Sequence, residues 1–383
     1  MESSLVRSKF SEHFGGKPGG IYCAPGRINL IGEHTDYNGG FVFPGAIDKC
    51  MTAEIRLNGT VKVRAYAVDL DDYAEFGLSE EDKPQKAWAR YLFGVCREMQ
   101  KRGYEVQGFD TAFSGNIPLG AGLSSSAALE SVFAFALNDL LQFGIDRFEL
   151  ARIGQATEHN YCGVNCGIMD QFASLFGKAG SLMRLDCKTL EYEYYPFRPE
   201  GYRLVLVDSM VKHELASSEY NKRRKSCENV VAAIKSRHPE VEYLRDAGMD
   251  WLEEVKDMVS GEDYSRAEYV IGEVRRVLEV CDALEKGDYD MVGQKMYETH
   301  YGMSRLYEVS CAELDLLNDV AKRCGVTGSR VMGGGFGGCT INLVKEELHD
   351  RFVGEACKAL REKFGREAGV YDVVISDGAR RVK

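Results

Sequence analysis

Three glycine-rich stretches, far apart in a chain of 383 residues, constrain its fold more than any other feature. They occupy residues 26–38, 120–128 and 333–338. Glycine permits backbone conformations and close approaches that a side chain would block, so each stretch predicts a tight turn or a direct contact with the backbone. One such stretch is common in proteins, whereas three in one chain rarely occur by chance.

The middle stretch predicts a binding site for an anion. Gly120 and Gly122 come before a run of serines, and the apolar residues after that run recur at the spacing of a helix. The first N–H groups of such a helix carry a partial positive charge, so a triphosphate fits there. The stretch is not a Walker loop, because no Gly-Lys-Ser or Gly-Lys-Thr follows the glycines. The alternative is a turn that only caps a buried helix.

A candidate metal ligand follows in residues 158–171. Mg²⁺ prefers oxygen ligands and keeps several waters, so the Glu158 carboxylate and the Ser126 hydroxyl would suffice. A zinc site using His159, Cys162 and Cys166 is the weaker alternative, because the segment has no Cys-x-x-Cys pair and no clear fourth ligand.

Asp170 is predicted to lie near the start of a short helix. Phe172 and Leu175 follow it at helical spacing, and Gly177 is a stop signal. An aspartate at this position can act on a substrate, or it can only stabilise the N-terminal end of the helix.

The first stretch supplies a polar cluster of the kind that a sugar requires. Glu33, His34 and Asp36 fall close together in a turn-like segment. Carboxylates accept hydrogen bonds from sugar hydroxyls, and an imidazole can donate or accept. Arg27 is a nearby cation, and taken alone it reads as a structural ion-pair partner of one of these acids.

The order of apolar and polar residues predicts an α/β protein, and the length of 383 residues favours two domains. We predict strands within residues 41–55, 61–67, 204–207 and 340–344, and helices across residues 221–307. The segment 195–202 breaks both periodicities, so the domain boundary is placed near it. The basic run 222–225 is interpreted as a solvated helix face, with contact to a phosphate as the alternative.

Composition excludes several classes of function. A net charge of -11 argues against nucleic-acid binding, which needs basic surface. The twelve cysteines are irregularly spaced and no signal-peptide run is present, which favours reduced thiols in a cytoplasmic protein. No stretch approaches the roughly 18 apolar residues that span a bilayer, so no membrane partner is expected.

These motifs together resemble those of the galactokinases, which belong to the GHMP superfamily of small-molecule kinases. The similarity extends over nearly the whole chain, and the first stretch is its most specific marker. The matching segments are residues 25–38, 118–128, 158–171, 213–220 and 328–339.

The resemblance implies roles for particular residues. Asp170 would face the anomeric hydroxyl and accept its proton, and Arg27 would keep Asp170 ionised and stabilise charge during transfer. The sugar-binding residues implied are Glu33, His34, Thr35, Asp36, Gly167 and Tyr220.

The resemblance also implies a site for ATP. Trp88 matches an aromatic residue near the adenine, although an ordinary buried tryptophan is an equal alternative. Ser126 and Glu158 match the Mg²⁺ ligands, and residues 332–339 would pack against the phosphate loop. The phosphate loop implied consists of Gly120, Ala121, Gly122, Leu123, Ser124, Ser125 and Ser126.

The implied fold is the two-domain GHMP kinase fold. Its N-terminal domain is similar to the second domain of ribosomal protein S5, its C-terminal domain is ferredoxin-like, and the active site lies between them. We expect the domains to be residues 1–198 and 199–383. The implied reaction is ATP-dependent phosphorylation of D-galactose at its anomeric hydroxyl with Mg²⁺, by a monomer or a weak oligomer.

Two alternatives are weighed against this function. Sister kinases that act on N-acetylgalactosamine, arabinose or mevalonate share the phosphate loop, but the intact residues 33–36 and Tyr220 favour unmodified galactose. Sensors that bind galactose and ATP and regulate transcription without catalysis carry a shortened serine-alanine stretch, whereas residues 124–128 are complete here.

Overall fold

The computed structural model describes residues 2–118, 120–211 and 216–382. Residues 213–215 of one matching segment, and Leu119 of another, lie outside the described residues. The helices are α1 (Glu2–Phe14), α2 (Ala87–Lys101), α3 (Ser125–Leu141), α4 (Arg147–Thr157), α5 (Met169–Phe176), α6 (Ala216–Lys235), α7 (Met249–Glu254), α8 (Gly261–Glu285), α9 (Tyr289–Arg305), α10 (Ala312–Cys324) and α11 (His349–Phe364). A π-helical turn, Glu158–Cys162, continues α4.

The strands form three sheets. They are β1 (Gly20–Asn29), β2 (Phe41–Val42), β3 (Pro44–Leu57), β4 (Lys62–Ala67), β5 (Asp72–Gly77), β6 (Phe109–Gly115), β7 (Ser181–Asp186), β8 (Tyr192–Pro196), β9 (Tyr202–Asp208), β10 (Gly328–Val331), β11 (Cys339–Lys345), β12 (Gly369–Val373) and β13 (Arg380–Arg381). The predicted strands and the helices predicted after the serine run and across residues 221–307 are confirmed.

The first sheet has the strand order β13-β1-β3-β6-β4-β5. Most neighbours are antiparallel, and β4 pairs with β6 in parallel. Helices α3 and α5 pack on β1 and β3, and α1 packs on β3 and β6. Nearly every residue of β1 is buried, and the polar Arg27 and Asn29 are buried among its mostly apolar residues.

The second sheet has the order β10-β11-β9-β12 and is antiparallel throughout. Helices α10 and α11 pack together beside it, and α9 packs on β10. A small sheet has the order β2-β7-β8, and residues 197–201 connect its last strand to β9 of the second sheet. The last strand, β13, returns to pair with β1 of the first sheet.

The interpretation of residues 222–225 as a solvated face is wrong for Arg223. Its side chain is buried, and it donates hydrogen bonds to the carbonyls of Tyr307 (3.0 Å) and Glu308 (2.6 Å). Its guanidinium also lies 5.2 Å from the centre of the Phe336 ring. These carbonyls follow α9 in the chain, so no local pattern around Arg223 indicates them.

Within the part of the chain that the structure describes, no helix combines the length and apolar character needed to cross a membrane.

Candidate active site

A cavity of about 430 Å³ lies where β1, α3, α5 and α6 converge. Its walls include residues of all three glycine-rich stretches, the third of which lies in the loop between β10 and β11. Segments that are distant in the sequence therefore meet at one place.

The second and third glycine-rich stretches cross with their backbones in contact. Gly122 and Gly333 have φ angles of 74° and 73°, in the left-handed region. A Cβ atom on Gly333 would lie 3.3 Å from the Gly122 carbonyl oxygen, so the close approach favours glycine. This contact confirms the expectation that residues 332–339 pack against the loop before α3.

The loop before α3 presents backbone and hydroxyl groups to the cavity. Ser124, Ser125 and Ser126 line it at the N-terminal end of α3, where the first N–H groups have no partner within the helix. Gly120 and Leu123 also line it, whereas Ala121 packs into the core. The helix end therefore offers a site for an anion.

Asp170 is held by two side chains from other elements. It lies in the first turn of α5, as predicted, and Arg27 of β1 donates from Nε to its Oδ1 at 2.9 Å. The Ser124 hydroxyl donates to its Oδ2. Arg27 also donates from Nη1 to the Gly122 carbonyl. One buried arginine thus connects the acid on α5 with the loop before α3.

Glu33 is buried and paired with an arginine from the second sheet. Its Oε1 accepts from Arg330 Nη2 at 3.0 Å and from the Gly333 N–H at 2.8 Å. Burial opposes ionisation of Glu33, but the Arg330 and Arg27 guanidiniums and the Gly333 N–H outweigh it, so the pKa of Glu33 lies below its ordinary value. Glu33 is therefore a carboxylate at neutral pH.

His34 is a neutral imidazole within an aromatic cluster. Burial lowers its pKa to about 4. Its Nε2 lies 3.1 Å from the Gly334 carbonyl and its Nδ1 lies 2.8 Å from the Tyr37 hydroxyl, so Nε2 donates and Nδ1 accepts. The Tyr307 ring lies 4.7 Å and the Tyr220 ring 5.3 Å from the imidazole, centre to centre.

Asp36 packs directly on Gly167. A Cβ atom on Gly167 would lie 1.8 Å from Asp36 Oδ2, so any side chain at this position would displace the Asp36 carboxylate. Burial, and then the charge of Asp170, raise the pKa of Asp36 to about 7. Asp36 is therefore partly protonated at neutral pH while no ligand donates to it.

Glu158 is a second carboxylate with a raised pKa. Burial raises it to about 7, against a hydrogen bond from Ser126, and Asp170 adds to the increase. Glu130 of α3 is fully buried nearby, and burial followed by the charge of Glu158 raises its pKa well above the ordinary value. The described residues include no group of three or more His, Cys, Asp and Glu side chains arranged to hold a metal.

Family profiles match three parts of the chain. The galactokinase galactose-binding signature matches residues 8–57, the GHMP kinases N terminal domain matches residues 90–178, and the GHMP kinases C terminal profile matches residues 281–365. The galactokinase of Thermotoga neapolitana is 40% identical over 360 residues, which cover 94% of this chain and 99% of that protein. The chain belongs to the galactokinase family.

Other galactokinases support the same assignment. The galactokinase of Roseiflexus sp. is 38% identical over 383 residues, with 100% of this chain and 98% of that protein covered. The crystal structure of Lactococcus lactis galactokinase complexed with galactose superposes with a TM-score of 0.94 at 34% identity, covering 99% of each chain. The expected two-domain GHMP kinase fold is confirmed.

Three residues that the galactokinase resemblance singled out do not line the cavity, namely Ala121 of the core, Thr35 and Trp88. The Thr35 hydroxyl lies 2.9 Å from the Gly32 carbonyl and 2.6 Å from the Phe41 carbonyl, and it is fully buried. The Trp88 indole N–H donates to Asp72 at 2.8 Å. Tyr91, one turn further along α2, lines the cavity.

Two residues that line the galactokinase cavity, and one that contacts a lining residue, were not singled out in the sequence. Tyr91 and Gln171 line its wall, and Arg330 supports Glu33 from behind. Tyr91 follows Trp88 at helical spacing, and Gln171 follows Asp170, so their neighbours could have indicated them. Arg330 has no comparable local signal, because its partner lies 297 positions earlier.

Proposed function

We propose that this galactokinase transfers the γ-phosphate of ATP to the anomeric hydroxyl of α-D-galactose, giving α-D-galactose 1-phosphate and ADP. As a member of a kinase family it uses ATP as its co-substrate. The observation that supports the proposal best is the position of Asp170, between the N-terminal end of α3 and the acidic loop of residues 33–36. A phosphate at the helix end and a sugar in the loop would meet beside Asp170.

For the sugar site we propose Glu33, His34, Asp36, Gly167 and Tyr220. Thr35 contributes by fixing the loop through its hydroxyl. Each carboxylate accepts from sugar hydroxyls, and a misplaced hydroxyl would leave a buried carboxylate without a partner at a cost of about 1–3 kcal/mol. This cost would discriminate galactose from its epimers.

The catalytic roles fall to Asp170 and Arg27. Asp170 accepts the anomeric proton or orients the hydroxyl, since a loose transition state requires little early proton removal. Arg27 fixes the Asp170 carboxylate at 2.9 Å and is placed to stabilise charge on the transferring phosphate.

We propose that Mg²⁺ is held by Ser126 and Glu158. The buried Glu158 carboxylate bonds to Ser126 and lies in the field of Asp170 and Glu130, so a cation would relieve this repulsion. Mg²⁺ uses few protein ligands and several waters, which fits two oxygen donors. When bound, it would neutralise the phosphates.

We also propose the remaining contacts to the nucleotide and the position of the domain boundary. Residues 120–126 would hold the phosphates with their N–H groups, and Trp88 would lie near the adenine. The division into residues 1–198 and 199–383 falls between β8 and β9, although β13 crosses back to the first sheet.

The decisive experiment measures ADP release from Mg-ATP with galactose, glucose, N-acetylgalactosamine, arabinose, mevalonate or no sugar. We expect turnover with galactose alone, and its loss when the metal is chelated. Asp170→Asn is expected to lower kcat by about 10²–10⁴-fold while galactose still binds, because the amide cannot accept the proton.

Two other outcomes would overturn the proposal. Near-normal turnover of Asp170→Asn would remove both roles proposed for that side chain. Silence with every sugar, together with ATP-dependent binding of galactose by calorimetry, would identify a sensor and not a kinase.

A further inference from the structure

Arg330 is a buried cation that contacts Glu33 of the sugar loop and the backbone just before that loop. It belongs to β10 of the second sheet, and its side chain is fully buried. Its Nε donates to the Leu30 carbonyl at 2.9 Å, and its Nη2 donates to the Asn29 carbonyl and to Glu33. Within the described chain, Glu33 is the carboxylate at ion-pair distance from Arg330.

The contacts to Glu33 select one of its two oxygens. Both Arg330 Nη2 and the Gly333 N–H donate to Oε1. Glu33 also lines the cavity, so its second oxygen remains to accept from a ligand. Such a carboxylate is fixed in orientation before a sugar arrives.

Helix α8 supports the backbone at Gly32 and at Glu33. The Gly32 N–H donates to the buried Glu273 carboxylate of α8 at 2.8 Å. The Tyr269 hydroxyl of α8 donates to the Glu33 carbonyl at 3.1 Å. With the backbone fixed from α8, the orientation of the Glu33 side chain depends on Arg330 and on the Gly333 N–H.

We propose that Arg330 is a positioning residue for galactose recognition, which acts by orienting the Glu33 carboxylate toward one sugar hydroxyl. The proposal rests on the proposed function, because it takes Glu33 as a sugar ligand. Arg330 itself does not line the cavity wall, so its effect on the sugar passes through Glu33. The C-terminal half of the chain thereby contributes to specificity at a loop of the N-terminal half.

The test compares initial rates of wild type, Glu33→Gln, Arg330→Lys, Arg330→Met and the double variant Glu33→Gln/Arg330→Met. Each is assayed with galactose and with the set of monodeoxygalactoses. Arg266→Met is the matched control, because Arg266 is also buried and bonds to Ser226 at 2.7 Å and to Glu262, with no hydrogen bond to residues 33–36 among the described residues. Thermal unfolding is recorded for every variant. If Arg330→Met does not fold, Arg330→Lys is used in its place in the kinetic comparison.

We expect Arg330→Met to raise the KM for galactose about tenfold to 100-fold, with kcat and the KM for ATP changed much less. In wild type, one monodeoxygalactose should have a higher KM than galactose. This difference should disappear in both Glu33→Gln and Arg330→Met, since both variants remove the same contact. The double variant should be no worse than Glu33→Gln alone.

Additive losses in the double variant, or different sugar profiles for the two single variants, would overturn the proposal and leave Arg330 as a purely structural residue. So would a similar rise in galactose KM for Arg266→Met. If Glu33→Gln itself leaves the galactose KM unchanged, the sugar site has been assigned wrongly, which is a distinct failure of the proposed function.

Discussion

The two ends of the cavity differ in how their charged side chains are balanced. At the sugar end, Glu33 is paired with Arg330, and both nitrogens of His34 have hydrogen-bond partners. At the phosphate end, Glu158 and Glu130 are buried, and the described chain places no lysine or arginine at ion-pair distance from either. Asp36 is the exception at the sugar end, since its pKa is raised to about 7.

This difference indicates which partner completes each end. A sugar is neutral, so its site must be balanced by the protein alone. A nucleotide with its metal brings its own charges, so the phosphate end can keep carboxylates that are unfavourable without the ligand. We expect the sugar end to be organised before binding, and the phosphate end to be completed by binding.

The largest effect is expected at Arg27, which lies between the two ends. Arg27→Ala removes the contacts to Asp170 and to the Gly122 carbonyl and should lower kcat by about 10³–10⁵-fold, as for other catalytic arginines. Steady-state rates with galactose and Mg-ATP measure it. Arg27→Lys keeps the charge but not the planar guanidinium, so its kcat should lie between those of wild type and Arg27→Ala. An unchanged rate in Arg27→Ala would mean that Arg27 is only a structural ion-pair partner.

A smaller effect is expected on stability at the phosphate end. The pKa of Glu158 is about 7 in the folded protein and 4.5 ordinarily, because burial favours the protonated form. The folded state therefore binds a proton that the unfolded state has lost, and stability falls as pH rises from about 4.5 to 7. Glu158→Gln removes this loss. Its free energy of unfolding should therefore exceed that of wild type by about 2–3 kcal/mol at pH 8 and differ little from it at pH 4.

Urea unfolding without metal or nucleotide measures this gain. Glu98→Gln is the contrasting control, because bonds from Lys101, Arg102 and Asn160 overcome burial and lower the pKa of Glu98. Glu98→Gln should be less stable than wild type at pH 8. The difference should shrink as the pH falls through the lowered pKa of Glu98. Equal unfolding free energies for Glu158→Gln and wild type at pH 8 would contradict the contrast between the two ends.

The smallest effect is expected at Trp88. If this ring lies near the adenine, Trp88→Ala should raise the KM for ATP about two- to tenfold and leave the KM for galactose unchanged. Trp251→Ala is the control, because Trp251 of α7 stacks on His238, with the two ring centres 4.0 Å apart, and does not line the cavity. A KM for ATP that does not change would show that Trp88 only packs on Phe113 and bonds to Asp72.

Local patterns in the sequence predicted much of this structure. The short helix that carries Asp170 followed from apolar spacing and from Gly177, because both signals lie within one or two turns. Arg330 was missed and Arg223 was misread for the opposite reason. Their partners lie in distant segments, and a basic residue carries no mark of whether tertiary packing will bury it.

The pairing of β13 with β1 has a consequence for the support of the two residues proposed for catalysis. Ala379 donates to the Ser174 carbonyl at 2.8 Å, and the Ser174 hydroxyl donates to the Pro25 carbonyl at 2.7 Å. Ser174, on the helix that carries Asp170, therefore bonds both to the strand that carries Arg27 and to the residue just before β13. Loss of β13 would leave β1 as an unpaired edge on that side of the first sheet, so the strand that carries Arg27 would lose one of its two neighbours.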